Sequence, residues 1–213
     1  MKKILLTIFV LTALFCGSTA SAQVRFGAVA GIDITTLKFN QSLFTVDQSV
    51  GYTAGVIGEL MLPGVGFGVD AALLYTQRGA TLHLGEKEVW STQGYGVERS
   101  YLHYLEIPIN LKFKYSNLNG IENIIMPYVF AGPSFSFLLA HNKIKASDSD
   151  KSGPLDYAGG EIAINVGLGF ELYKKIQVSG SYGWGMTYAL KTKLLDNFSA
   201  QNRTWKITVA YMF

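Results

Sequence analysis

The sequence predicts an all-β protein, namely an eight-stranded antiparallel up-and-down transmembrane β-barrel. Eight segments alternate apolar and polar residues, and each is about ten residues or longer. A tilted strand needs ~9–11 residues to cross a bilayer, whereas strands of soluble proteins average about five or six. Short and long connections alternate along the chain, and charged residues occupy only one face of each segment. Together these three observations favour a barrel that spans a membrane.

The composition excludes several other classes of protein. Of the 213 residues, 49% are hydrophobic and only 15% charged, against roughly 25% charged in ordinary soluble domains. A disordered chain would be rich in charge and poor in aromatic residues, while 23 glycines and 13% aromatic residues disfavour an all-helical fold. The formal net charge of +3 comes without a Lys/Arg cluster, so no nucleic-acid partner is expected.

The N-terminus has the pattern of a secretory signal peptide. Lys2 and Lys3 precede an apolar run over residues 4–15, and Ala20-Ser21-Ala22 follows it. We expect residues 1–22 to be cleaved and residues 23–213 to form one barrel domain. The run is too short for a membrane anchor, which needs about 20 apolar residues. A lipoprotein signal at Cys16 is the alternative, although the bulky residue before it argues against one. Cys16 is the only cysteine, so the exported domain has no disulfide or thiolate zinc site.

The first four strands are predicted from one apolar register each. In chain order these registers are Val24, Phe26, Ala28, Ala30 and Ile32; Val50, Tyr52, Ala54, Val56, Gly58 and Leu60; Val65, Phe67, Val69, Ala71, Leu73 and Tyr75; and Tyr101, His103, Leu105, Ile107, Ile109, Leu111, Phe113 and Tyr115. Because successive side chains of a strand point to opposite faces, each register forms one face of its strand.

The last four strands follow the same rule. The fifth, over residues 126–139, is the least clear, and its apolar face is chosen because Gly132, Ser134 and Ser136 fill the other. The four registers are Val129, Ala131, Pro133, Phe135 and Phe137; Ile162, Ile164, Val166, Leu168 and Phe170; Ile176, Val178, Gly180, Tyr182, Trp184, Met186 and Tyr188; and Trp205, Ile207, Val209, Tyr211 and Phe213.

The connections predict how the barrel is oriented. Three are short, at residues 63–64, 116–125 and 173–175, and four are long and polar, at residues 34–49, 77–100, 140–160 and 189–204. Short turns on one side and long loops on the other are typical of outer-membrane barrels with both termini in the periplasm.

The charges decide between a soluble and a membrane barrel. The apolar registers contain no Asp, Glu, Lys or Arg, and the opposite registers contain Arg25, Asp33, Glu59, Asp70, Glu106, Lys112, Lys114, Glu161, Glu171 and Lys206. Period alone does not say which set faces inward, and a soluble lipocalin-type barrel remains the alternative. Tyrosine and tryptophan near the strand ends of the apolar face are typical of bilayer interfaces, and glycines in the charged register suit a narrow lumen. We therefore expect the charges inside.

Several motifs resemble a known family. They are Tyr104-Leu105-Glu106-Ile107-Pro108-Ile109-Asn110-Leu111-Lys112, Tyr128-Val129-Phe130-Ala131-Gly132-Pro133, Gly167-Leu168-Gly169-Phe170-Glu171 and the terminal Tyr211-Met212-Phe213. The sequence is similar here to the small outer-membrane β-barrel ("porin family", PorT-like) proteins of Gram-negative bacteria. This resemblance implies an integral outer-membrane protein without enzymatic activity. It also implies insertion by the barrel-assembly machinery, with Phe213 ending the assembly signal. One branch of the family belongs to a secretion apparatus, and no motif places this chain there.

The inward charges suggest a polar network that fills the lumen, because a buried charge without a partner is very costly. The hypothesis is a cross-strand network of Arg25, Glu59, Asp70, Glu106, Lys112, Lys114, Glu161, Glu171 and Lys206. Arg25 is expected to pair with Glu59, and Asp70 and Glu106 are expected to meet Lys112 at mid-barrel. The alternative is that these groups line a path for ions or protons, as in a small porin-like channel for ions or solutes.

A lipid A-modifying enzyme is the other alternative, because His103 lies on the lipid face near Ser100. The two residues are three apart and so lie on opposite faces of one strand. His83 and His141 are expected in loops without carboxylates at metal spacing. No catalytic residue, metal or cofactor is predicted.

The expected partners are outer-membrane lipid and lipopolysaccharide, the latter through Lys143, Lys145 and Lys151, together with the barrel-assembly machinery. An extracellular or periplasmic protein partner would bind through the loops at residues 85–95 and 141–156, because exposed loops on a rigid scaffold commonly carry binding.

Overall fold

The computed structural model describes residues 23–39, 46–62, 64–83, 97–115, 120–141, 155–187, 190–192 and 199–213. These residues form ten strands: β1 Gln23–Phe39, β2 Val46–Met61, β3 Phe67–His83, β4 Val97–Lys114, β5 Ile125–His141, β6 Leu155–Tyr157, β7 Gly160–Leu172, β8 Ile176–Gly185, β9 Leu190–Thr192 and β10 Ser199–Met212. One short 3₁₀ turn, Ile121–Asn123, precedes β5. None of the helical structure described here is long and apolar enough to cross a membrane.

Eight of the strands close into an antiparallel barrel, which confirms the predicted fold. The pairing order is β1-β2-β3-β4-β5-β7-β8-β10, and β10 pairs back with β1. The closing register runs from Gly27 opposite Met212 to Phe39 opposite Ala200. Closure matters because an open sheet edge would leave backbone N–H and C=O groups without partners in hydrocarbon.

The strands extend further than predicted at the end with the long connections. β1 continues to Phe39, β3 continues to His83, and β4 already begins at Val97. β6 and β9 pair with each other within connections that the sequence predicted to be loops. The predicted loop boundaries there were therefore wrong. The sequence alternates less clearly in these segments, but backbone pairing does not depend on the side chains and continues through them.

Tight turns occupy the opposite end of the barrel, where β1 begins and β10 ends. Tyr173 and Lys174 have φ values of 50° and 58°, and the Lys175 N–H donates to the Leu172 carbonyl at 3.0 Å. Two successive left-handed residues make a type I′ turn, whose twist matches that of the flanking strands. This turn links β7 and β8 directly, as their predicted short connection requires.

The apolar face points outward and the charged face points into the lumen. On β4, Leu111 is 60% exposed, whereas its neighbour Lys112 is 2% exposed and Glu106 is 1% exposed. The same alternation holds in the other barrel strands, including the chosen register of β5. This arrangement excludes the soluble-barrel alternative, in which the charges would face water outside.

Small residues make room for large ones inside the narrow barrel, as the position of the glycines predicted. At Gly169 a Cβ atom would lie 2.7 Å from the hydroxyl oxygen of Tyr128, whose side chain is buried in the lumen. Such a position accepts only glycine without a shift of the ring, so the glycine is a packing requirement.

Candidate functional site in the barrel lumen

Strand register brings inward side chains to the same height. Arg25 of β1 lies opposite Glu59 of β2, Glu59 lies opposite Asp70 of β3, and Asp70 lies opposite Asn110 of β4. Because all four residues belong to the inward register, their polar groups meet in one layer across the lumen. Glu171 and Gln177, paired between β7 and β8, join this layer from the other side.

This inner layer lies at the end of the barrel that holds both termini, and Glu59 is its centre. Glu59 Oε1 accepts from Arg25 Nη2 at 2.5 Å and from Lys114 Nζ at 2.7 Å. Glu59 Oε2 accepts from Lys112 Nζ at 3.0 Å and from Gln177 Nε2 at 3.0 Å. All four lone-pair directions of the carboxylate are thus used, which is what a charge removed from water requires.

The remaining groups complete the inner layer. Glu171 accepts from Arg25 Nη2 at 2.7 Å and also pairs with Lys114. Lys112 contacts Asp70 Oδ2 at 2.8 Å. The layer consists of Arg25, Glu59, Asp70, Asn110, Lys112, Lys114, Glu171 and Gln177, with three acids facing three bases. Its charges therefore balance within the layer.

A separate outer layer lies toward the long connections, and Glu106 is its centre. Glu106 Oε2 accepts from Arg78 Nη2 at 2.6 Å, from Lys206 Nζ at 2.9 Å and from Thr76 Oγ1 at 3.1 Å. Glu106 Oε1 accepts from Ser134 Oγ at 2.9 Å. These contacts tie β3, β4, β5 and β10 together across the lumen.

Two further acids belong to the outer layer and are less completely paired. Glu161 Oε2 accepts from Asn202 Nδ2 at 2.5 Å and lies 3.5 Å from Arg78 Nη1. Asp33 lies 3.8 Å from Lys206 Nζ, and neither of its carboxylate oxygens accepts a hydrogen bond from a described residue. The layer consists of Asp33, Thr76, Arg78, Glu106, Ser134, Glu161, Asn202 and Lys206, with three acids facing two bases.

The structure places all nine residues of the sequence hypothesis on the lumen side, but in two layers. Arg25 and Glu59 are in contact, as expected. Lys112 contacts Asp70, as expected. Glu106 does not join them, so the predicted mid-barrel group was wrong for Glu106. Glu106 and Lys112 lie six residues apart on β4, which separates their backbones by about 20 Å along the strand.

Arg78 is a charged lumen residue that sequence reasoning missed. It was assigned to a connection, yet it lies in β3, is 4% exposed and contacts both Glu106 and Glu161. Its guanidinium carbon also lies 5.5 Å from the centre of the Tyr104 ring. The inward register of β3 reaches it without interruption, because Asp70, Ala72, Leu74, Thr76 and Arg78 are all buried. Extending the period by two residues would have found it.

A cavity of about 70 Å³ lies between the two layers. Asp70 and Lys112 line it from the inner layer, and Glu106 and Lys206 line it from the outer layer. The rest of its wall is mixed. Its apolar members are Val29, Ile57, Ala72, Leu74, Pro108, Phe130 and Ala210, and its polar members are Asn110, Tyr128, Asn165, Gln177, Ser179, Ser181 and Thr208. We call this space the chamber.

Two of the three histidines have a side-chain partner that the structure describes. His103 faces outward, and its Nδ1 is hydrogen-bonded to Tyr75 Oη of the neighbouring strand at 2.7 Å. His83 lies in β3 rather than in a loop and contacts Asp47 at 2.9 Å. His141 ends β5, also not in a loop. Within the described ranges no group of three metal-binding side chains occurs.

Other predicted features fall at the ends of the chain or outside the described residues. The expected signal peptide at residues 1–22 and the loop residues Lys143, Lys145 and Lys151 lie outside the described residues. Phe213 is 79% exposed, and its N–H donates to the Phe26 carbonyl at 2.7 Å. The last residue is therefore attached to the barrel wall and presents its ring outward.

The comparison with family models agrees with this architecture. The family described as "Outer membrane protein beta-barrel domain" matches residues 18–190. Among solved structures, Ail of Yersinia pestis is similar at 14% identity and a TM-score of 0.46, covering 90% of this chain and 99% of that chain. OprG of Pseudomonas aeruginosa is similar at 11% identity and a TM-score of 0.46, with coverages of 89% and 94%. AlkL, solved in lipid bilayers, is similar at 14% identity and a TM-score of 0.45, covering 92% of this chain and 94% of that chain. No curated protein matches the chain.

Proposed function

The chain belongs to the family of outer-membrane proteins with a β-barrel domain, and on that premise we propose that it is a non-enzymatic, non-conducting barrel. In this proposal the barrel is a rigid support that presents its long connections at the cell surface, and its lumen is closed by side chains. The observation that carries the proposal is the pair of ion layers, each of which joins strands across the lumen.

The packing of the layers supports a closed lumen. An eight-stranded barrel has an interior just wide enough for side chains to fill. Glu59, Lys112 and Glu106 are each no more than 2% exposed. A permeating ion would have to separate charges that already use most of their hydrogen-bonding capacity, and a buried charge left without its partner is very unfavourable.

The proposal includes the route to the membrane and the partners there. Residues 1–22 would direct export and be removed, and Phe213 would end the signal read by the barrel-assembly machinery of a Gram-negative bacterium. The outward registers would contact outer-membrane lipid and lipopolysaccharide. A protein partner would bind the long connections, because loops on a rigid scaffold commonly carry recognition.

The test is a conductance measurement on the refolded barrel. The protein is inserted into planar bilayers after folding is verified by heat-modifiable gel mobility, and an open porin serves as the positive control. We expect no steady open-channel current. A steady current from the folded protein would overturn the closed-lumen proposal and favour the small porin-like channel.

A further inference from the structure

The chamber combines internal volume with a buried polar atom that has no hydrogen-bond partner among the described residues. A cavity needs roughly 10–15 Å³ of free volume to hold one water molecule. The chamber, at about 70 Å³, therefore has room for several. Polar lining is also required, because a buried water molecule makes about three hydrogen bonds.

Asn110 supplies the clearest unmet hydrogen-bonding group in the chamber wall. Its Nδ2 donates to Asp70 Oδ1 at 2.8 Å. Its Oδ1 is buried and accepts no hydrogen bond from any residue in the described part of the chain. Buried polar atoms are hydrogen-bonded to protein or to ordered water in the great majority of cases. A donor in the chamber would satisfy this oxygen.

A second, smaller cavity continues along the same polar wall. It measures about 10 Å³ and shares Asn165, Ser181 and Lys206 with the chamber. Glu161 lines this small cavity, and its Oε1 is buried and unpaired among the described residues. The two unpaired acceptors thus lie beside spaces that adjoin along β7, β8 and β10.

We propose that the chamber and the small cavity form a binding site for a cluster of ordered water molecules, held between the two ion layers. One water donates to Asn110 Oδ1 in the chamber, and another donates to Glu161 Oε1 in the small cavity. Asn165 and Ser181 lie between them and can bond to both.

The chemistry of the wall favours water over the other occupants of this size. An apolar occupant would leave Asn110 Oδ1 unsatisfied. An additional cation in the chamber would lie beside Lys112 and Lys206, and an additional anion would lie beside Asp70 and Glu106, so an ion of either sign would meet like charge. Water donates and accepts, so it completes the acceptors and adds no charge.

The test is water-to-protein magnetisation transfer by NMR on the refolded barrel in nanodiscs of deuterated lipid. In the wild type we expect water cross-peaks from the side-chain amides of Asn110 and Asn165. Ala72→Leu places additional methyl groups in the chamber, and the Asn110 cross-peak should then be lost. Ala71→Leu is the matched control, because Ala71 is adjacent on β3 and faces lipid, and it should leave the cross-peak unchanged.

Folding of each variant is verified by heat-modifiable mobility before the comparison. If Ala72→Leu does not fold, Ala210→Val fills the chamber from β10 with a smaller change. Absence of the cross-peaks in the wild type, or their persistence in a folded filled variant, would overturn the inference. A chamber without ordered water would leave the closed-lumen proposal intact. A steady conductance would overturn the closed-lumen proposal and leave the water site intact. The two failures are therefore distinguishable.

Discussion

Replacing Arg78 with methionine removes the cation that joins two acids of the outer layer. Arg78 lies 2.6 Å from Glu106 and 3.5 Å from Glu161, and all three side chains are 4% exposed or less. Breaking a buried ion pair by removing one partner typically costs about 3–5 kcal/mol. Lys206 remains 2.9 Å from Glu106, while Glu161 loses its nearest cation, so we expect a loss of about 3–5 kcal/mol in the free energy of unfolding.

The assay is reversible urea unfolding of the barrel in lipid vesicles, followed by tryptophan fluorescence and by gel mobility. Arg203→Met is the matched control, because the Arg203 guanidinium donates to the Gly185 and Asn202 carbonyls and to Gln201. We expect the control to lose less than half as much, since its hydrogen bonds go to neutral oxygens and not to a carboxylate.

A rescue variant separates the loss of the ion pair from the loss of packing. Arg78→Met combined with Glu161→Gln should recover part of the stability, because one stranded negative charge is removed together with its cation. The reasoning is refuted if Arg78→Met costs less than about 1 kcal/mol, or no more than Arg203→Met, because the outer layer would then not depend on this guanidinium.

Three further predictions concern the two ion layers, the turn between β7 and β8, and the enzyme alternative. Glu59→Ala or Glu106→Ala alone should give no steady current in planar bilayers, since the other layer still closes the lumen. The double variant should conduct. A current from either single variant would contradict the proposal that the two layers close the lumen in series. Lys174→Gly should raise the free energy of unfolding in urea by ~1 kcal/mol, because glycine adopts the left-handed backbone without Cβ strain; destabilisation would count against that strain. His103→Ala should leave the lipid A profile unchanged by mass spectrometry, since the described hydrogen-bond partner of the imidazole is Tyr75; an altered profile would favour a lipid-modifying enzyme.

The faces of the strands could be predicted from the sequence because a charged side chain is energetically costly in hydrocarbon. An Arg or Lys facing lipid at mid-bilayer costs about 2–4 kcal/mol, and the predicted apolar registers contain no Asp, Glu, Lys or Arg. Leu111 and Lys112 show how sharply adjacent positions divide. Arg78 follows the same inward register and was missed because the predicted strand ended at Tyr75, whereas β3 continues to His83.

The partner of each charge could not be read in this way. Arg25 meets Glu171, 146 residues away, only because β10 closes against β1 and brings β7 and β8 across the lumen. Lys206 and Glu106 are joined through the same closure. The six residues between Glu106 and Lys112 on β4 also decide that these two groups belong to different layers.

The sequence by itself therefore determined the eight strands, their apolar faces and the set of groups that had to be buried. These properties are local, since they follow from the period of a strand and the cost of placing each side chain in lipid. Only the tertiary structure decided that the buried groups form two layers with a chamber between them. That arrangement depends on strand register around a closed cylinder, where one shift of a strand changes every partner at once.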